Sequence, residues 1–89
     1  MESQIIKYFE DLGFEVNAAE TYTIWFSLES KNGFTLQFTY FKDDKTIYCR
    51  LIHNVLIVDL FHEFYIDDLK QLDFLINNHK RIKNFYAEK

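Results

Sequence analysis

The chain contains no proline and two glycines, Gly13 and Gly33, in 89 residues. Phosphate-cradling loops and long irregular active-site loops draw on such residues, so the sequence has little material for either. A single cysteine, Cys49, excludes an intrachain disulfide framework and fits a reducing bacterial cytoplasm. No apolar run approaches the roughly 18 residues a membrane span needs. The start, MESQIIKYFED, is acidic where a secretion signal is basic. Neither HExxH nor CxxC spacing occurs, and no metal or cofactor is expected.

What the chain has in plenty is aromatic side chains: one Trp, six Tyr and ten Phe. Part of this excess follows from composition. Phe, Tyr, Ile, Asn and Lys, all with AT-rich codons, total 39 residues, against 7 for Gly, Ala, Arg and Pro. An AT-rich genome, such as those of many phages and low-GC bacteria, produces that bias with no binding role. Codon usage does not decide where the aromatics fall, so their positions carry the argument. The net charge of −4 suits a self-repelling, soluble chain and disfavours bulk nucleic-acid binding.

Helical spacing of Ile5, Tyr8, Phe9 and Leu12 predicts a helix over about 2–12, stopped by Gly13 with Phe14 as its hydrophobic contact. Residues 14–16 read as a short extended piece and 17–20 as a turn. Alternation then predicts strands whose inner faces are Tyr22, Ile24, Phe26 and Leu28; Phe34, Leu36, Phe38 and Tyr40; and Ile47, Cys49 and Leu51. A three-residue loop at 31–33, with Gly33 in the left-handed position, sets Leu28 opposite Leu36 and Phe26 opposite Phe38. A four-residue loop at 42–45 sets Tyr40 opposite Ile47 and avoids pairing Lys42 with Lys45. Residues 55–64 read as a fourth strand, joined by a turn at His53-Asn54 that places Leu51 opposite Leu56. Residues 67–85 read as a helix begun by a capping box of Asp68 and Gln71. The expected fold is α+β in a single domain: a four-stranded antiparallel meander flanked by an N-terminal and a C-terminal helix.

This register leaves an outer face reading Trp25–Thr39–Tyr48–Asp59, flanked by Thr23–Phe41–Thr46–Phe61. Ser27–Gln37–Arg50–Ile57 and Glu29–Thr35–Ile52–Val55 follow. Seven large residues half covered there leave on the order of 5–10 kcal/mol of burial unrealised in water. That rivals a small domain's whole stability of about 5–15 kcal/mol. Either one helix packs on each face, or a homodimer or another partner covers the outer one. Trp25, Phe41, Tyr48, Asp59 and Phe61, with the acidic Glu10 and Asp11 of the first helix, are the candidate partner-binding residues.

Cys49, His53, His62, Asp59 and Glu63 form the only conceivable catalytic cluster, yet the register buries Cys49 among Leu51 and Val58, as suits an inert thiol. No catalytic residue is assigned. Lys80, Arg81 and Lys83 could meet phosphates, although a solvated helix end accounts for them. The element order resembles the double-stranded-RNA-binding domain, but Asp67-Asp68 stand where that family places phosphate-binding lysines. It is also similar to small secretion-chaperone domains, which are acidic α+β dimers. By elimination the expected function is stoichiometric binding of a larger protein. That suits an anti-CRISPR or other anti-defence inhibitor of a phage or mobile element, or an immunity protein or antitoxin. The alternatives are a dimeric chaperone-like accessory protein and a nucleic-acid binder using the basic C-terminal helix end.

Overall fold

The computed structural model describes residues 2–54, 56–60 and 64–88, and of residues 58–60 and 88 the backbone alone. Its elements are α1 (Glu2–Asp11), β1 (Glu15–Ala19), β2 (Thr23–Glu29), β3 (Phe34–Phe41), β4 (Thr46–His53), β5 (Leu56–Leu60), β6 (Phe64–Tyr65), α2 (Leu69–Asn78) and α3 (Lys80–Glu88). The α+β class holds. The strands form one antiparallel sheet in the order β1-β2-β3-β4-β5, and β6 continues along β4 where β5 ends.

α1 ends as its sequence dictates. Gly13 adopts φ +93°, a region open to glycine, and Phe14 N–H reaches back to the Phe9 carbonyl at 3.0 Å. The accompanying hydrophobic contact is between the Phe9 and Phe14 rings, centred 5.1 Å apart.

Strands β2 to β4 follow the expected register: Leu28 faces Leu36, Phe26 faces Phe38, Ile24 faces Tyr40, Tyr40 faces Ile47 and Phe38 faces Cys49. Gly33 takes φ +82° in the first hairpin, and residues 42–45 form the second. Tyr22 departs from the pattern. It sits in the turn before β2 and is exposed, because the alternation of β2 begins at Thr23.

Three expectations change. Residues 17–19, read as a turn, extend β1 along β2, with Asn17 bulged between the Val16–Phe26 and Ala18–Trp25 pairs. The expected fourth strand is split into β5 and β6, and its register moves. His53 pairs with Leu56 and Ile52 with Ile57, a register two residues away from the expected one. Val58 then bulges, and with the shifted register Leu51 faces Asp59 rather than Leu56. The C-terminal helix breaks at His79, whose backbone is extended at φ −70° and ψ 125°. Asn77 and Asn78 bond back to the carbonyls of Asp73 and Phe74, the kind of local competition that weakens a helix. The break also resets the apolar stripe. Ile82 falls about one residue short of the continuation of Leu72 and Ile76. After the break, Ile82 and Phe85 are both buried.

All three helices pack on one face. The Phe9 ring stacks on Phe26 at 4.2 Å and lies 5.0 Å from Phe38. Leu72, Leu75, Ile76, Ile82 and Phe85 join the same core as Ile24, Phe26, Leu36 and Phe38. Tyr8 donates a 2.8 Å hydrogen bond to Asp73, tying α1 to α2. The molecule therefore has two layers, and the arrangement with one helix on each face does not occur.

Candidate binding face

The helix-free face of the sheet is built row by row from cross-strand pairs. One row reads Ala18–Trp25–Thr39–Tyr48, and its neighbour Thr23–Phe41–Thr46–Tyr65. Toward the other end come Ser27–Gln37–Arg50 and Glu29–Thr35–Ile52–Ile57. Apolar side chains gather over β4 and its neighbours, and polar ones over β2 and the far end of β3.

The central side chains lean on one another. The Arg50 guanidinium lies 5.2 Å from the centre of the Trp25 ring, a cation–π contact. Trp25 Nε1 donates to Thr23 Oγ1 at 3.2 Å, which holds the indole along its own strand. Phe41 and Tyr48 meet edge to face at 5.3 Å. Together these cover Thr39, which is 1% exposed at the centre of the face. Its hydroxyl has no hydrogen-bond partner. Trp25, Phe41, Tyr48 and Ile52 are thus half-buried by their neighbours, while Ile57 and Tyr65 are exposed.

The candidate residues named from sequence separate into groups. Trp25, Phe41 and Tyr48 come together as expected. Asp59 does not join them: the shifted register and the Val58 bulge together pair it with Leu51 instead of Tyr48. Phe61 lies outside the described residues, and Tyr65 holds the place opposite Thr46 that had been assigned to it. Glu10 and Asp11 sit exposed on α1, in the other layer, with Asp11 3.4 Å from Lys7. They cannot share a flat contact with Trp25, because the sheet lies between. Tyr65 was missed because the expected strand stopped one residue short of it. Arg50 could have been singled out as the cation one row from Trp25.

Of the conceivable catalytic cluster, Cys49 and His53 are the members with described side chains. Cys49 is fully buried, and desolvation pushes its thiol pKa well up, against nucleophilic use. The His53 ring stacks on Phe34 at 4.3 Å. His62 and Glu63 lie outside the described residues. Among the described residues no three His, Cys, Asp or Glu side chains converge as a metal site would require, and no helix is long and apolar enough to cross a membrane.

Fold and face together define a class: a two-layer α+β domain with its helices on one side and an aromatic sheet face open on the other. Comparison with protein-family models, with curated proteins and with solved structures finds no match.

Proposed function

We propose that the chain is a non-enzymatic binding module that occludes a site on a larger protein with its open sheet face. The observation supporting this is the crowding of Trp25, Arg50, Phe41 and Tyr48 on the one sheet face that no described helix covers. Trp, Tyr, Phe and Arg are enriched where proteins bind one another, and Lys and Asp are depleted there. No Lys or Asp occupies β2, β3 or β4. Bulges at Asn17 and Val58 interrupt both long edges, which favours a partner that arrives face-on over one that adds a strand. Glu10 and Asp11, on the helical side, act at long range by steering the acidic chain toward a basic target. Small size, acidity and a composition weighted to residues with AT-rich codons suit a phage or mobile-element inhibitor of bacterial defence, acting in the cytoplasm.

Pull-down from candidate host lysate identifies the target, and titration with purified target tests the face. Trp25→Ala and Tyr48→Ala should each weaken binding at least tenfold, about 1.4 kcal/mol, with unchanged circular dichroism. Normal binding by both variants would move the interface elsewhere. The free protein should be monomeric by light scattering at micromolar concentration, and a dimer there would assign the face to a second copy.

A further inference from the structure

A second apolar surface lies away from the centre of the open face, in a groove of about 320 Å³ between β6 and α2. It is lined by buried Ile66 and Leu75, half-buried Phe64, and exposed Tyr65 and Phe74. Phe74 is 69% exposed, the highest value among the large apolar side chains described.

Among the described residues, no strand pairs with the outer backbone edge beside this groove. Ile66 N–H bonds to the Lys45 carbonyl at 2.7 Å, so Thr46 and Tyr65 form a non-hydrogen-bonded pair. The N–H and C=O of Tyr65 therefore point away from β4, and no described strand pairs along that side. An extended backbone is the occupant that satisfies one such donor and acceptor while setting side chains into an adjoining groove. Charge narrows the occupant further. Asp67 and Asp68 are exposed at one end, between β6 and α2, with Asp67 3.8 Å from Lys45. The other end, at His79, runs into exposed Lys80 and Arg81.

We infer that the groove between β6 and α2 seats an extended segment of a partner protein. The segment's backbone pairs with Tyr65, a bulky apolar side chain packs between Tyr65 and Phe74, and one cation faces Asp67 and Asp68. This inference does not depend on the open-face reading.

The test uses the full chain, isotope-labelled for amide NMR, and a capped peptide Lys-Val-Phe-Val-Gln. Addition of the peptide should shift the Tyr65, Gln71 and Phe74 amides saturably and slow hydrogen exchange at the Tyr65 amide about tenfold. Changing the peptide's Lys to Glu or its Phe to Ser should weaken binding about tenfold, as should Phe74→Asp in the protein. Phe74 is outside the core, so that variant keeps the fold. No saturable shift at millimolar peptide, or equal binding of the Glu peptide, overturns the inference. So does Tyr65 protection from self-association without peptide. Shifts centred on Trp25 and Tyr48 would overturn it too, while leaving the open-face reading standing.

Discussion

Thr39 shows at the scale of one residue how the open face is made. A threonine at the centre of a sheet face ordinarily meets water, but here the side chains around it leave it 1% exposed with an unpartnered hydroxyl. Burying a hydroxyl without a partner costs roughly 1–3 kcal/mol. Thr39→Val keeps the shape and removes that cost, so it should stabilise the fold by about 1 kcal/mol. Urea unfolding measures this, and a loss of stability would show that the hydroxyl is satisfied in solution. Trp25, Phe41 and Tyr48 were legible in the sequence because strand alternation fixes the face of every second residue. Asp59 was not, since one bulged residue inverts the strand beyond it and alternation carries no mark of a bulge.

At the scale of the element, local chemistry was the most readable layer. The capping box at the start of α2 forms in full: Asp68 Oδ1 accepts from Gln71 N–H at 3.0 Å, and Gln71 Oε1 accepts from Asp68 N–H at 3.3 Å. Asp68→Ala should cost about 1 kcal/mol and raise hydrogen exchange in the first turn of α2, detectable by mass spectrometry. Unchanged exchange would mean that packing of Leu72 and Leu75 alone fixes this end. The hairpins were readable for the same reason, because loop length and inner-face matching admit few registers. The break at His79 was not foreseen. Its causes are the Asn77 and Asn78 side chains and the demands of the core on Ile82 and Phe85, and only the first is local.

For the whole molecule, sequence established class and strand order but not layering. An apolar stripe says that a helix is buried, not on which face of a sheet. The shared core of Phe9, Leu72 and Ile82 puts all three helices on one side. That core also sets the response to alkali. Burial raises the pKa of Cys49 and, chiefly, those of Tyr8, Tyr40 and Tyr86, with Asp73 adding to the shift at Tyr8. Each group binds its proton more tightly folded than unfolded. Their contribution is therefore intact below the unfolded values, about 8.5 for Cys and 10 for Tyr, and is lost as pH rises past them. The thermal midpoint should fall steadily from about pH 8.5 to pH 11. A flat profile across that interval would contradict the burial of these groups.

The bulged edges bear on dose. A one-to-one binder is effective only when its copy number at least matches that of its target, so it must be made abundantly and fast. Flat, pairable sheet edges at such levels seed fibres. Here β1 and β5 are each interrupted, and β6 is two residues long, too short to template a stack of copies. Under the proposed one-to-one binding role, the same irregularity that hid Asp59 from the sequence pattern would also guard an abundant protein against edge-to-edge pairing.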